Sequence, residues 1–279
     1  MIREHTREFP VALMCRVLSV SRSGYYRWFD RPRSQRLQHR EQVEKQVLDI
    51  YAHYKARYGA PRIAKELAAL GISCSTNLTA KILKLQGLKA HNGKAFNYGS
   101  HALATHNVSE NLLWRRFGAS KPNEKWTTDI TYIWLEKQWL YLAVVMDLYS
   151  RSIVGWSLDT NMTEQLITDA LSMAFNRREI RSGLVIHSDR GVQYRAQKYI
   201  DFMRRHGAIP SMSRKGNCWD NAPMENFFGH LKEEYLRQFK QTTFKETEQL
   251  IDEYIYFYNY ERIQLKTGQT PFEIRCLAS

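Results

Sequence analysis

The sequence has no run of 18 consecutive apolar residues, no closely spaced cysteine pair and no internal repeat. The first absence excludes a helix that spans a membrane. The four cysteines, Cys15, Cys74, Cys218 and Cys276, stand far apart, so neither a zinc site nor a disulfide framework is predicted. Residues 1–10 are charged and lack the apolar segment of a signal peptide. These absences predict a cytoplasmic protein that does not bind membranes.

Acidic residues are scarce in the N-terminal part of the chain. The 279 residues include 41 Lys and Arg but only 28 Asp and Glu, so the formal net charge is +13. Residues 1–120 hold 20 of the basic residues and 8 of the acidic ones, and therefore almost all of the excess. A one-sided positive field favours a polyanion through counterion release, and DNA or RNA is the usual partner. A merely solubilising surface is the alternative.

Two helical hairpins are predicted in residues 1–90, the first over residues 10–28. In the second, over residues 61–86, Pro61 opens one helix and Gly71 ends it. Apolar residues would face each other and leave four basic side chains outside, namely Arg62, Lys65, Lys81 and Lys84. This pattern is typical of a helix-turn-helix region whose basic residues touch DNA phosphates. A plain helical hairpin fits it equally well.

The character of the chain changes after residue 90. Residues 91–120 are rich in Asn, Gly, Ser and His and are predicted to form a linker. Residues 121–240 are predicted to form an α/β domain, and residues 241–279 a C-terminal helix and arm that pack on it. Five strands are predicted, at residues 126–135, 139–146, 152–158, 184–188 and 208–212. The first three form an antiparallel meander, and helices follow the last three, which indicates a mixed five-stranded sheet flanked by helices.

Three acidic residues occupy places where functional groups gather in mixed sheets. Asp129 lies inside the first strand, Asp189 directly follows the fourth, and Glu225 lies in the first turn of a helix that Asp220-Asn221 and a proline introduce. If they converge, their repulsion requires divalent cations, and carboxylate oxygens suit Mg²⁺ or Mn²⁺. Two such ions stabilise the attacking and leaving oxygens of a phosphoryl transfer.

Each acid also has an ordinary structural explanation. Asp129 fits a solvent-facing strand position, Asp189 fits a turn before a glycine, and Glu225 fits the positive end of a helix. Asp147, which ends the second strand, is a fourth candidate for which we favour a structural role. In a basic protein with this order of elements, the sequence favours a metal site formed by the first three.

Basic residues near these acids are candidates for DNA contacts. Lys232 lies two helical turns after Glu225 on almost the same face. The loop at residues 211–223 carries Arg214 and Lys215 into that helix, although a flexible solvated loop is the alternative. Arg190, which follows the second acid, belongs to the same predicted group.

Longer motifs connect these residues to a known family. WTTDITYI, HSDRGVQY, SMSRKGNCWDNAPMENFFGHLKEE and FYNYERIQLKTGQTP occur in this order, and 35 residues separate Asp189 from Glu225. Over about residues 8–275 the chain resembles the catalytic subunit (OrfB) of bacterial insertion-sequence transposases of the IS-three group. These belong to the DDE transposase and retroviral integrase superfamily. The resemblance implies a ribonuclease-H-like core in which Asp129, Asp189 and Glu225 bind two Mg²⁺ or Mn²⁺ ions, and Lys232 matches the family's basic residue.

The resemblance also implies a reaction and its partners. Hydrolysis at an insertion-sequence end would free a 3′-hydroxyl, and transesterification would then join it to another DNA. The partners would be the terminal inverted repeats, the target DNA, further copies of the chain in a synaptic complex, and an upstream OrfA-type helix-turn-helix and coiled-coil protein or fusion. The expected location is the bacterial cytoplasm, at the nucleoid during the reaction.

Two other functions remain open at this stage. A ribonuclease-H-like nuclease would only hydrolyse, with Glu164 or Asp169 as a further acid on the first core helix, and joined products would exclude it. A non-catalytic DNA-binding regulator with a transposase ancestor would lack metal-dependent nicking.

Overall fold

The structure, a computed structural model, describes residues 1–32, 34–91, 108–180, 182–215, 217–240 and 242–278. Five helices occupy the N-terminal region: α1 (Val11–Val17), α2 (Arg22–Phe29), α3 (Gln35–His53), α4 (Ala60–Ala69) and α5 (Thr76–Leu85). Serine hydroxyls at residues 21, 34 and 75 accept hydrogen bonds from the first turns of α2, α3 and α5. The predicted hairpins therefore correspond to α1–α2 and α4–α5. None of the helices in the described ranges is long and apolar enough to cross a bilayer.

The sheet has the strand order β3-β2-β1-β4-β5. Its strands are β1 (Lys125–Leu135), β2 (Gln138–Asp147), β3 (Ile153–Asp159), β4 (Val185–Ser188) and β5 (Ile209–Met212). The first three pair antiparallel, whereas β4 pairs parallel with β1 and β5 pairs parallel with β4. The predicted mixed five-stranded sheet is confirmed.

Helices cover both faces of this sheet. The later helices are α6 (Glu164–Arg177), α7 (Gln197–Arg205), α8 (Ala222–Glu234), α9 (Phe244–Tyr260) and α10 (Pro271–Cys276). Apolar residues of α6 and α7 pack on one face. On the other face, α8 and α9 share a single hydrophobic core with the N-terminal helices α3, α4 and α5.

Polar contacts reinforce this joint core between the N-terminal helices and the C-terminal segment. The buried Tyr58 hydroxyl donates to the carbonyl of Glu261 at 2.9 Å and accepts from the amide of Ile263 at 2.9 Å. Arg62 is half-buried, and its Nε donates to the carbonyl of Ile263 at 3.1 Å. Arg62 therefore has a packing contact in place of the fully exposed position that the hairpin pattern predicts.

A buried ion pair connects α8 with the segment after α9. Glu234 accepts hydrogen bonds from Nε and Nη2 of Arg262, at 2.8 and 2.6 Å, and from the Tyr254 hydroxyl at 3.0 Å. His230 Nδ1 lies 3.1 Å from the same carboxylate. Burial by itself would raise the pKa of Glu234, but Arg262 and His230 hold this pKa at about 2. The charges are thus paired and hydrogen-bonded inside the protein.

Gly155 in β3 allows α6 to approach the sheet closely. A Cβ atom at this position would lie 2.1 Å from the carbonyl oxygen of Ala170 and 2.9 Å from Cβ of Ala174. Because these are backbone and short side-chain atoms, we expect Gly155→Ala to lower the free energy of unfolding by about 3 kcal/mol, the upper part of the usual overpacking range. Urea denaturation of both proteins measures this change.

Gly229 in α8 provides the matched control. A Cβ atom there has no neighbour within 4 Å, so Gly229→Ala should leave stability unchanged or raise it, because alanine favours helices. Equal stability of the two variants would show that α6 does not need the close approach.

Candidate active site

The end of β4 brings two of the predicted acids to one edge of the sheet. The parallel pairing of β1 and β4 ends with Thr127 opposite His187. Asp129 and Asp189 each lie two residues beyond this last pair. Because β1 and β4 run parallel and both acids are equally far beyond this pair, Asp129 in the middle of β1 and Asp189 just after β4 share one corner of the sheet, at the carboxyl end of β4.

Electrostatics places Glu225 and Lys232 at the same corner. Burial raises the pKa of Asp129 well above its ordinary value, and the charge of Asp189 raises it further. The Ile130 amide, which donates to Oδ1 of Asp129 at 2.8 Å, opposes this rise. Glu225 again raises the pKa and Lys232 lowers it. Asp189, Glu225 and Lys232 therefore all lie near enough to Asp129 to change its pKa.

The pKa values of Asp189 and Lys232 both shift in the direction that favours the neutral form. Burial raises the pKa of Asp189, against the Gly191 amide, which donates to its Oδ1 at 2.8 Å, and the charge of Arg195. Burial lowers the pKa of the Lys232 ammonium, and Arg237 lowers it further, whereas Asp129 opposes the change. The site holds partly desolvated charges of both signs, as enzyme active sites commonly do.

The chemistry of these side chains fits a divalent cation. Within the described part of the chain, no three His, Cys, Asp or Glu residues are close enough together to enclose a metal ion. Asp189 and Glu225 nevertheless raise the pKa of Asp129, and a bound cation would relieve that repulsion. Carboxylate oxygens are also the ligands that Mg²⁺ and Mn²⁺ prefer.

Asn221 fixes the start of α8 against β1. Its Oδ1 accepts a hydrogen bond from the Thr127 hydroxyl, and its Nδ2 donates to the carbonyl of Thr128 at 3.2 Å. The sequence pattern predicts that Asn221 caps the helix, but its side chain makes no capping hydrogen bond and reaches the strand instead. This contact holds the first turn of α8, and so Glu225, next to the strand that carries Asp129.

Asp220 organises the loop before α8. Its carboxylate is fully buried and accepts hydrogen bonds from the backbone amide, Nε and Nη2 of Arg214, at 3.0, 2.9 and 2.9 Å. These bonds, chiefly those from the Arg214 side chain, hold the pKa of Asp220 well below its ordinary value. The Arg214 guanidinium also lies 5.3 Å from the ring centre of Trp114. Arg214 thus has a structural role, which sequence reasoning missed because Asp220 resembles an ordinary helix-start residue.

The remaining predicted basic residues differ in exposure. Lys81 and Lys84 are exposed on α5, and Lys215 is exposed on the loop. Lys65 is half-buried. Arg190 is also half-buried, and its Nε donates to the carbonyl of Ser213 at 2.7 Å. Exposure therefore favours the first three as DNA contacts.

Asp147 and Asp169 occupy positions that agree with structural or surface roles. Asp147 is fully buried and accepts from the amides of Asn123 and Tyr149, at 3.2 and 3.0 Å. Asp169 is exposed on α6 and accepts from Nε2 of Gln165 at 2.6 Å. Glu164 lies in the first turn of α6.

His187 connects β4 to β5 behind the site. Its Nδ1 is 2.9 Å from the Ser211 hydroxyl and its Nε2 is 3.2 Å from the Ser213 hydroxyl, and the ring is fully buried. Burial lowers the pKa of His187 to about 4. Between about pH 6.5 and 4, His187 is protonated in the unfolded chain but stays neutral in the folded one. Acidification to pH 4 should therefore lower the free energy of unfolding by up to about 3 kcal/mol.

Urea denaturation in EDTA at several pH values measures this loss. His187→Gln cannot titrate, so its free energy of unfolding should fall less steeply between pH 6.5 and 4 than that of the natural protein. Parallel pH profiles for the two proteins would contradict a neutral buried histidine.

Comparison with protein families finds two families in this chain. Models described as "Integrase core domain" match residues 119–218 and 225–276, and a model described as "HTH-like domain" matches residues 38–95. The first two ranges contain the three acids, and the third contains α4 and α5.

Individual relatives cover most of the chain. The transposase InsF for insertion sequence IS3A of Escherichia coli strain K12 is 46% identical over 240 residues, which are 84% of this chain and 82% of InsF. The IS600 31 kDa protein of Shigella sonnei, described as uncharacterized, is 38% identical over 91% of this chain and 94% of its own length.

Solved integrase structures align at lower identity. The HTLV-2 integrase catalytic core domain in complex with magnesium aligns with a TM-score of 0.47 and 19% identity, over 56% of this chain and 98% of that one. A chain of the simian T-cell lymphotropic virus intasome in complex with PP2A regulatory subunit B56 gamma aligns with a TM-score of 0.49 and 16% identity, over 82% of this chain and 74% of that one.

Proposed function

This chain belongs to the family of insertion-sequence IS3 transposases with an integrase core domain, and we propose that Asp129, Asp189 and Glu225 form its catalytic site. It is a transposase, an enzyme of the polynucleotidyl transferase class. One observation supports the site above all. Asp129 lies inside β1 and Asp189 directly after the neighbouring parallel strand β4, each two residues beyond the last β1–β4 pair, and Asn221 holds the helix turn that carries Glu225 against β1.

Enzymes with an integrase core depend on a metal ion, and we propose Mg²⁺ or Mn²⁺, two ions per site, held by these carboxylates. Bound divalent cations supply positive charge that stabilises the attacking and leaving oxygens of the phosphoryl transfer. This positive charge would offset the repulsion that Asp189 and Glu225 exert on the Asp129 carboxylate.

The proposed reaction has two steps at this one site. Water first attacks a phosphodiester at the end of the element, and the bond to the departing strand breaks to leave a 3′-hydroxyl. That hydroxyl then attacks a phosphodiester of the target and displaces another 3′-hydroxyl, so one bond forms as one breaks and ATP is not needed. The side chains contribute mainly by positioning the DNA and the carboxylates.

Basic side chains around the site would hold the DNA backbone. Lys232 is half-buried beside Asp129 and would contact the phosphate next to the reacting bond. Lys215 is exposed on the loop before α8 and would contact the strand that leaves. Lys81 and Lys84, exposed on α5, would contact phosphates of the terminal repeat outside the cleavage position.

We extend the proposal to the partners that the reaction requires. The DNA substrates are the terminal inverted repeats and the target. Two element ends must meet, so several copies of the chain form the synaptic complex. An upstream OrfA-type protein or fusion supplies further end recognition. The reaction takes place in the bacterial cytoplasm at the nucleoid.

The function can be tested with the purified chain, a labelled duplex that ends in the terminal repeat, and supercoiled plasmid with Mg²⁺ or Mn²⁺. We expect the label to become joined to plasmid DNA, and EDTA to prevent joining. Nicking without joining, also after fusion to the upstream partner, would favour the hydrolytic nuclease. DNA binding without metal-dependent nicking in either form would favour the regulator.

A further inference from the structure

The segment that enters the catalytic domain lies along its outermost strand. We name residues 109–115 the clamp segment. The amide of Leu112 donates to the Ser211 hydroxyl at 2.9 Å, and the amide of Met212 donates to the carbonyl of Glu110 at 3.2 Å. The clamp segment falls in the range that composition predicts to be a linker, but here it makes backbone contacts along β5.

Two side chains of the clamp segment bind Asp220. Asn111 Nδ2 donates to its Oδ2 at 3.0 Å, and Arg115 Nε donates to its Oδ1 at 2.8 Å. Arg115 Nη2 also donates to Oδ1 of Asn217 at 2.9 Å. Asn111 and Asp220 are both buried. Together with Arg214, the clamp segment thus satisfies a buried carboxylate in the loop just before α8, 105 residues after Arg115 in the chain.

The backbone of the clamp segment is shaped for this contact. Trp114 and Arg115 have φ values of 47° and 61°, a left-handed conformation that is unfavourable for residues other than glycine. Oδ1 of Asn111 accepts hydrogen bonds from the amides of Leu113 and Trp114, at 3.1 and 2.9 Å, and stabilises this turn. Asn111 therefore has two tasks, since its oxygen forms the turn and its nitrogen binds Asp220.

Asp220 transmits the contact to the catalytic helix. The next residue, Asn221, bonds to Thr127 and Thr128 in β1, immediately before Asp129. Glu225 follows within the first turn of α8. A chain of adjacent contacts therefore runs from the clamp segment through Asp220 and Asn221 to the side chains proposed to bind the metal.

We propose that Asn111 and Arg115 are positioning residues for the transposase reaction, because they hold the loop before α8 in the conformation that places Glu225 beside Asp129. The inference rests on the catalytic site proposed above. Neither residue touches the reacting DNA in this role. If either side chain loses its contact with Asp220, the three acids are still present, but Glu225 is no longer held beside Asp129.

Arg115→Ala tests the proposal, and Arg116→Ala is its matched control, because Arg116 is the exposed neighbour with the same charge. We expect Arg115→Ala to lower kcat for strand transfer about a hundredfold, the cost of misplacing a catalytic group by about 1 Å, with KM for DNA within about twofold of the natural value. Hydrogen–deuterium exchange of peptides from residues 213–225 should become faster. Arg116→Ala should match the natural protein in all three measurements.

Arg115→Lys keeps a donor for Asp220 but loses the second bond to Asn217. We expect its kcat and its exchange rate to lie between those of the natural protein and Arg115→Ala, and its milder change serves if the alanine variant fails to fold. A raised KM with unchanged kcat would overturn the proposal in favour of a DNA contact. If Arg115→Ala has the same kcat and the same hydrogen–deuterium exchange rate as the natural protein, the proposal is overturned outright.

The exchange measurement separates this proposal from the catalytic one. If the natural protein joins no DNA under any condition, the proposal of the catalytic site is rejected. The clamp segment then stands only as a device that orders the loop, shown by exchange that differs between Arg115→Ala and Arg116→Ala. If the natural protein is active and both variants are equally active, the positioning role of the clamp segment is rejected and the catalytic site stands.

Discussion

Asp129→Asn is expected to lower the rate of strand transfer by about a thousandfold or more, because a neutral amide cannot provide the charge that holds a divalent cation at the reacting phosphate. The side chains have nearly the same shape, so folding and DNA binding should persist. Stability in metal-free buffer should even rise. Burial and the charges of Asp189 and Glu225 raise the pKa of Asp129, so its ionised form destabilises the folded protein.

Single-turnover joining of a labelled terminal repeat measures the rate, and urea denaturation in EDTA measures the stability. Asp189→Asn and Glu225→Gln should lose activity to a similar extent. Asp169→Asn is the control, because this acid is exposed on α6, where the hydrolytic alternative would place a further catalytic acid. Activity in Asp129→Asn, or equal inactivity of Asp169→Asn, would require a different set of catalytic acids.

Arg262→Met is expected to lower the free energy of unfolding by about 3–5 kcal/mol, the usual cost of leaving one charge of a buried pair without its partner. Glu234 would remain inside with only Tyr254 and His230 as partners. In the natural protein the pKa of Glu234 is about 2, below its unfolded value of 4.5. Its stabilising effect is therefore complete above pH 4.5 and is lost as the pH falls towards 2.

Urea denaturation at pH 7 and at pH 4 measures both effects. Because the Glu234 pKa rises when Arg262 is removed, the variant should differ from the natural protein more at pH 7 than at pH 4. Lys266→Met removes an exposed cation from the same segment and should change stability by less than about 0.5 kcal/mol. Glu234→Leu combined with Arg262→Met should recover most of the loss, since neither charge is then left alone. A loss below about 1 kcal/mol for Arg262→Met would contradict a buried pair.

Local patterns predict the strands of this protein well. Alternating polarity and short connections predict strands at residues 126–135 and 208–212, and the structure has Lys125–Leu135 and Ile209–Met212. Side chains alternate between the two faces of a strand, so the pattern of polar and apolar residues along the chain is enough to indicate these strands. Asp129 is predicted inside the first strand and Asp189 directly after the fourth, and the structure has both at these positions, two residues beyond the last β1–β4 pair.

Contacts between distant parts of the chain leave no such pattern. The bond from Tyr58 to Glu261 joins residues 203 apart, and nothing in the local sequence around Tyr58 predicts it. Arg214 was a reasonable DNA contact by charge, but a buried partner six residues away holds it. Arg115 lies in a stretch whose composition predicts a linker. Polar pairs of this kind depend on three-dimensional placement, which single-residue propensities do not contain.

The shared core of the N-terminal helices, α8 and α9 has a geometric consequence. The exposed lysines of α5 and the acids beside α8 are attached to one packed body, so the distance and rotation between them are set by the protein. For DNA held by both, the spacing between the two contacted positions is therefore fixed. A double helix turns the same strand back to the same side only after about 10 base pairs. Under the proposed function, the protein acts as a ruler, and the terminal repeat must match it in length and in helical phase.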